Sequence, residues 1–228
     1  MRKKTTVIAL LMFGFVLAGV AQNKKKKSLP VDSSKIERMV LISTDFGDMK
    51  VKLYNATPQH RDNFIKLVNQ GFYDSLLFHR VIRTFMIQGG DPQSKNAAPG
   101  VMLGNGDIGY TIPAEFVDTI YHKKGSLCAA RTDNPAKASS SCQFYIVQGQ
   151  TFTNEQMDQM ETQRGKKLSP KHRRDLSTIG GTPMLDQGYT VFGEVVEGID
   201  VIDKIAAVKT APGDRPVQDV RMKMKVVR

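Results

Sequence analysis

The sequence predicts a mainly β protein whose strands close into a barrel or a sandwich, interrupted by one helical excursion. Three patterns carry that expectation. Between Leu76 and Ile146, short β-rich pieces such as Leu77-Phe78-His79, Phe85-Met86-Ile87 and Phe144-Tyr145-Ile146 alternate with Gly, Pro, Asn and Asp, the rhythm of strands joined by tight turns. The C-terminal stretch alternates strictly, with Val220, Met222, Met224 and Val226 set against Arg221, Lys223 and Lys225, which marks a strand with one buried and one wet face. From Asn154 to Asp175 the rhythm breaks: this stretch is rich in Glu, Gln, Met, Lys and Arg without a β-branched cluster, and reads as helix.

Taken in order, the chain begins with Arg2-Lys3-Lys4, an uncharged apolar run from Val7 to Val20, and Ala21. A basic start, a short apolar run and a small residue at the cut predict a secretory signal peptide over residues 1–21. The run is shorter than the ~20 apolar residues a membrane span needs, so no stable span is expected, and the chain should be exported to the periplasm or cell envelope. Lys24-Lys25-Lys26-Lys27 falls in a basic tether over residues 22–36, extended by charge repulsion. The net charge of +11 invites a nucleic-acid reading, but export and the lack of interleaved aromatic and basic residues argue against it.

One domain is expected over residues 37–228, because 40% hydrophobic residues can fill one core and β barrels of this size are single domains. Met39 to Ile42 and Val51 to Tyr54 flank the turn signal Asp45-Phe46-Gly47-Asp48 and predict a hairpin. Thr57 and Pro58 open a helix whose apolar stripe is Phe64, Leu67 and Val68 and which Gly71 ends. Tyr189 to Val196 reads as a strand and Ile199 to Ile205 as a short helix. Cys128 and Cys142 fall in neighbouring strand-like segments; pairing stays open, with buried free thiols favoured.

The segment Phe78-His79-Arg80-Val81-Ile82-Arg83-Thr84-Phe85-Met86-Ile87-Gln88-Gly89-Gly90-Asp91 resembles the central signature of cyclophilins, a Phe-His-Arg followed by Phe-Met-x-Gln-Gly-Gly-Asp. Two further blocks agree in the same chain order, Ser141 to Ile146 and Leu185 to Val195. The resemblance implies a closed antiparallel eight-stranded β-barrel capped by two helices, with an insertion at about residues 151–183 that should be peripheral. It also implies peptidyl-prolyl cis-trans isomerase activity without metal or cofactor.

That chemistry can be reasoned from the bond itself. Rotation about a peptide C–N bond is opposed by ~18–20 kcal/mol of lost resonance, and no bond is made or broken. A catalyst needs only groups that bind the twisted amide better than either planar form. On the resemblance, Arg80 is the donor to the prolyl nitrogen as it regains its lone pair, a task that suits a rigid, permanently charged guanidinium. Gln88 holds a substrate backbone group and steadies that arginine. Phe85, Met86, Tyr145 and Leu185 line an apolar socket for the proline ring, and Tyr189 either hydrogen-bonds the substrate or caps the socket with its ring. Gln143 and Phe144, from the second matched block, are assigned to the same surface. Ala130 and Arg131 are the strand end expected to receive substrate backbone in extended pairing.

The implied partners are proline-containing polypeptides, among them unfolded or partly folded exported proteins. Met184 stands where eukaryotic members often have tryptophan, which implies weak binding of cyclosporin. His60, His79, His122 and His172 form no zinc spacing. Ser139-Ser140-Ser141 lacks the nucleophile-elbow pattern. A non-catalytic proline-binding module is the rival from another class, but holding alone gives no reason for Arg80.

Overall fold

The computed structural model describes residues 38–227, so the signal peptide expected at 1–21 and the tether expected at 22–36 lie outside the described residues. The expected hairpin forms as β1 (Arg38–Thr44) and β2 (Gly47–Leu53), paired in full register from Arg38 opposite Leu53 to Thr44 opposite Gly47. Helix α1 (Pro58–Asn69) follows with Pro58 at its first position. Its cap differs from the sequence reading: the Thr57 side chain makes no cap bond. The Glu115 carboxylate instead accepts from the N–H groups of Gln59 and His60, each at 3.0 Å. A carboxylate from a distant segment meets the exposed donors and the positive end of the helix dipole.

The remaining strands are β3 (Phe78–Ile82), β4 (Met86–Gly89), β5 (Thr111–Ile112), β6 (Ser126–Ala129), β7 (Ser139–Ser140), β8 (Phe144–Val147), β9 (Val191–Glu197) and β10 (Lys223–Val227). Eight of them form one antiparallel sheet in the order β10-β1-β2-β9-β6-β8-β4-β3, and β5 pairs only with β7. The closed barrel implied by the resemblance is therefore corrected to an open half-barrel, since β3 and β10 are not paired as strands. The segments just before them meet at the bridge Leu77 to Arg221, where the N–H groups of Phe78, Met222 and Ser75 donate to the carbonyls of Val220, Leu76 and Met222, each at 2.9 Å. Further along β3, the Val81 N–H donates to the Asp214 carbonyl at 2.8 Å. The Asp214 loop therefore lies beside this end of β3, where a closed barrel would place the free edge of β10.

The excursion is two helices, α2 (Asn154–Arg164) and α3 (Pro170–Thr178). Thr153 and Gln156 form a capping box at the start of α2, and Gly165 takes the left-handed conformation at its end. Within this pair Met157 and Leu176 are fully buried and His172 nearly so. Helix α4 (Ile199–Ala206) buries Val201, Ile202, Ile205 and Ala206. None of the helices among the described residues is long and apolar enough to cross a membrane. Cys128 and Cys142 are free and buried.

The sheet carries apolar clusters on both faces. The larger one, toward α1 and α4, takes Phe78, Val81, Ile87, Leu127, Ala129, Phe144 and Ile146. The smaller, on the opposite face, takes Met86, Cys128, Tyr145, Val147 and Val191. Neighbours along each strand go to opposite faces, as the pleat requires. Phe144 sits at the centre of the larger cluster, with ring centroids 5.7 Å from Phe64, 5.6 Å from Tyr73 and 6.0 Å from Phe78, all edge-on. Phe144→Leu should lower the unfolding free energy by about 1–3 kcal/mol in a denaturant titration. A change too small to measure would contradict its place in the core.

Candidate active site

The smaller cluster floors a pocket of about 150 Å³ lined by Arg80, Phe85, Met86, Gln88, Ala130, Arg131, Tyr145, Leu185 and Tyr189. These are nine of the eleven side chains to which the sequence assigns a role. They arrive from β3, the β3–β4 turn, β4, the end of β6, β8, the 3-10 turn at Pro183–Leu185 and the segment that leads into β9. Met86 and Tyr145 are almost completely buried and Ala130 nearly so, while Phe85, Leu185 and Tyr189 pack at the rim. An apolar cavity of this size holds one small ring.

Arg80 reaches this face through a local irregularity. Counting alternately from Phe78, which faces the core, Arg80 would face the core as well. The β3–β4 register shifts between Phe78 and Arg80, with Phe78 opposite Gly89 and Arg80 opposite Gln88. The bulge absorbs His79 and turns Arg80 outward, as bulges beside functional sites do. Its side chain is 44% exposed, and Nε lies 3.5 Å from the Asp214 carboxylate, a long contact that leaves the guanidinium at the pocket mouth.

Gln143 and Phe144 do not line the pocket. Gln143 acts one step back: its Oε1 accepts from Gln88 Nε2 at 3.1 Å, and its own Nε2 donates to the carbonyls of Gly104 and Gly106 at 2.9 and 2.7 Å. The assignment of Phe144 to the substrate surface is corrected, since it follows Gln143 and precedes Tyr145 on one strand and so points into the core. Asp91, to which the sequence reading gave no role, is fully buried and accepts from the N–H groups of Gln93 at 2.7 Å and Gly106 at 3.4 Å, and from that of Gly104. Together Asp91 and Gln143 anchor the loop at residues 104–106 from opposite sides. Gly90 must be glycine, since it has φ +93° and a Cβ there would collide with the Cys142 carbonyl.

The Arg131 side chain is spent within the protein. Its Nε donates to the Gly188 carbonyl at 2.9 Å and its guanidinium lies 4.8 Å from the centre of the Tyr189 ring. The Ala130 N–H donates to Gln143 and its carbonyl accepts from Ser140. Among the described residues, the backbone N–H and carbonyl of Arg131 have no such partner and form an open edge beside the pocket.

Two other features look like sites and differ in kind. His60 lies 2.6 Å from Glu115 and 3.1 Å from the Ser139 hydroxyl, the spacing of a serine-hydrolase triad. Ser139 and His60 are at most 2% exposed and the cavity beside His60 is about 10 Å³, so no acyl group can reach the hydroxyl. A larger cleft, about 570 Å³, lies between the inserted helices and residues 118–121, beside Asp186 and Gln187. Its cations are already committed, Lys166 to Asp118 at 3.0 Å and Lys167 to Glu161 at 2.8 Å. The smaller pocket has the open donors and the apolar floor.

The chain matches the family described as cyclophilin type peptidyl-prolyl cis-trans isomerase/CLD over residues 39–226. It is 36% identical over 186 residues to a protein named as a peptidyl-prolyl cis-trans isomerase in Staphylococcus aureus (strain COL), covering 81% of this chain and 88% of that one. It is also 36% identical over 184 residues to one named as a bifunctional phosphatase/peptidyl-prolyl cis-trans isomerase in Streptococcus pyogenes serotype M6. There the match spans 79% of this chain but only 37% of the relative. A crystal structure of a Cryptosporidium parvum cyclophilin type peptidyl-prolyl cis-trans isomerase superposes with a TM-score of 0.60 at 21% identity, covering 85% of this chain and 99% of that one. The same protein, in the presence of the dipeptide Ala-Pro, also gives 0.60, with 83% of this chain covered.

His79 beside the site gives a measurable pH dependence. Its side chain is almost completely buried, and burial, opposed by the nearby Asp91, lowers its pKa from 6.5 to about 4. The unfolded chain binds a proton at this residue below about pH 6.5 and the folded one does not, so the contribution is complete above that pH and lost as pH falls toward 4. The limiting slope is ~1.36 kcal/mol per pH unit. Burial shifts His60 and His172 the same way. Unfolding free energy should fall between about pH 6.5 and 5, and His79→Leu should reduce that slope by roughly 1 kcal/mol per pH unit. An unchanged slope in the variant would contradict a neutral buried His79.

Proposed function

The chain belongs to the cyclophilin-type peptidyl-prolyl cis-trans isomerase family and carries isomerase activity, and from that premise we propose that it turns X-Pro bonds of exported polypeptides by holding the proline ring in the pocket while Arg80 stabilises the twisted amide. The observation that carries this reading is the convergence of Arg80 and Gln88 on a ring-sized apolar pocket.

The proline ring enters between Phe85, Met86, Tyr145 and Leu185. The Tyr145 hydroxyl is bonded to His122 at 3.0 Å, so the pocket meets the ring and not the polar end of this tyrosine, and the floor stays apolar despite the hydroxyl. Residues before the proline lie along the open Arg131 edge and pair with its backbone, which makes the enzyme tolerant of their side chains. With the ring held and the preceding chain fixed, rotation is confined to the bond between them.

As the amide leaves planarity, the prolyl nitrogen loses conjugation and becomes a hydrogen-bond acceptor. Arg80, at the pocket mouth, donates to it. A group that meets an acceptor absent from both planar forms lowers the barrier without tightening ground-state binding. Gln88, oriented by Gln143, receives the substrate backbone beside it. Nothing in this scheme transfers a proton, which accords with a buried, neutral His79 next to the arginine.

Export is supported by Arg2-Lys3-Lys4 and the apolar run Val7 to Val20. Folding proteins of the periplasm or cell envelope are then the clients. Met184, 55% exposed beside Leu185 in the chain, offers a flexible thioether where a tryptophan would give a flat platform, and weak cyclosporin binding follows.

Mass spectrometry of envelope fractions should find the chain starting near Gln22, and an intact Met1 in that fraction would contradict cleavage. Arg80→Ala should lower turnover of an X-Pro peptide by ~10²–10³, as loss of a preorganised donor does elsewhere. Its melting temperature should hold, because an exposed pair at this distance stabilises little. Near-normal turnover in the folded variant would remove Arg80 from the mechanism. Activity lost together with the folded state would call for Arg80→Lys in its place, which keeps the charge and loses the planar fork.

A further inference from the structure

The floor of the socket and the turn that forms its outer wall are tied to each other by one buried side chain. His122 precedes β6 and is 1% exposed. Its Nδ1 lies 2.8 Å from Asp186 Oδ1, which also accepts from the His122 backbone N–H at 2.9 Å. Its Nε2 lies 3.0 Å from the Tyr145 hydroxyl. The His122 and Tyr145 rings are nearly parallel, 11° apart with centroids at 6.1 Å.

The proton positions follow from the partners. A carboxylate only accepts, so Nδ1 carries the proton and Nε2 offers its lone pair. Burial raises the Tyr145 pKa well above 10, so its hydroxyl keeps its proton and donates to Nε2. The Tyr145 hydroxyl, both His122 ring nitrogens and Asp186 Oδ1 are thereby satisfied in one arrangement, which leaves Asp186 Oδ2 facing the insertion without a hydrogen bond among the described residues.

The far end of this chain belongs to the inserted helices. Arg164 of α2 donates through Nη2 to the Pro183 carbonyl at 2.6 Å and brings Nη1 to 3.9 Å from Asp186 Oδ2. His172 of α3 places Nε2 3.5 Å from the same oxygen. Its ring is stacked on Tyr121 at 3.7 Å, and Tyr121 in turn donates to Asp175 at 2.7 Å. The contacts at 3.5 and 3.9 Å are long for hydrogen bonds. The inner joints, at 2.8 and 3.0 Å, are tight. The turn carrying Leu185 is thus fixed from the inside through Asp186 and from the insertion through the Pro183 carbonyl, while the insertion's contacts to the Asp186 carboxylate are loose.

We propose that His122 is a positioning residue, a strut that holds Tyr145 and the Leu185–Asp186 turn at a fixed separation and so sets how firmly the socket grips the proline ring, with Arg164 and His172 of the insertion backing the turn. The inference rests on the prolyl-socket reading above and deepens it. His122 touches no substrate. It acts through the width of the pocket, and it gives the insertion a route to substrate affinity. The grip on the ring is the same in planar and twisted amide, so loosening it raises KM and leaves kcat alone.

The test compares wild type with Tyr145→Phe, His122→Phe, the double variant and Asp186→Asn, measuring KM, kcat and melting temperature on one X-Pro peptide. His122→Phe and Tyr145→Phe should each raise KM roughly fivefold or more with kcat within about threefold, and the double variant should be little worse than either, as for two ends of one contact. Asp186→Asn, which keeps an acceptor for both His122 donors, should fall between wild type and these.

Folded variants with lowered melting temperature but wild-type KM would overturn the strut and leave His122 a stability residue only. Equal losses in kcat and kcat/KM would also overturn it, since they mark a transition-state contact. If His122→Phe does not fold, Tyr145→Phe and Asp186→Asn decide by the same criterion. A wild type that binds a labelled X-Pro peptide without turning it over would overturn the isomerase reading instead, and the dissociation constants of the variants would then judge the strut. No binding in the wild type would overturn both.

Discussion

The two-residue repeat of the β-strand governs this molecule. One sheet must serve as the wall of a core and as the floor of a pocket, and strands β4, β6 and β8 do both by sending alternate side chains to opposite faces. Ile87, Leu127, Phe144 and Ile146 fill the interior, while Met86, Cys128 and Tyr145 turn the other way. The pocket is therefore built on a rigid support whose reverse side is packed with aromatic rings. The bulge at His79 is the one departure from the repeat that the site requires, and it puts a cation where strict alternation would have buried it.

Much of this was legible in the chain. The hairpin, α1, α4 and the alternating C-terminal strand all left local periodic signals, and the structure returns them with shifts of a few residues at their ends. The motif from Phe78 to Asp91 marked four of the nine side chains that the fold brings together, Arg80, Phe85, Met86 and Gln88, and the other five came from the later segments. Phase was not legible: Phe144 and Tyr145 are neighbours in a matched block, and no motif states which of two adjacent residues faces the substrate. Barrel closure was not legible either, because it depends on whether β3 and β10 meet, and the Asp214 loop takes that place instead.

The residues missed altogether act across long sequence separations. Glu115 caps α1 from 55 or more positions away, and His122 joins Tyr145 and Asp186 at separations of 23 and 64. Neither lies in a periodic segment. Asp186 did fall inside a matched block, and Asp91 closed the first one. Both are acidic residues buried or nearly so beside apolar positions, an unusual pattern that pays only when backbone or histidine donors surround it. The polar insertion reads as a surface appendage by composition. Its Arg164 and His172 nevertheless reach the Pro183–Asp186 turn beside the pocket.

The central claim is that the outer face of this sheet both binds an X-Pro segment and turns it. Exchange NMR on an Ala-Pro-containing peptide with a small amount of the wild-type chain tests both halves at once. The account predicts cis–trans exchange cross-peaks that are absent without protein, together with shift changes concentrated at Phe85, Met86, Arg131 and Tyr189. Peptide binding at those residues without exchange, or exchange with the shift changes gathered in the larger cleft beside the inserted helices, would contradict it.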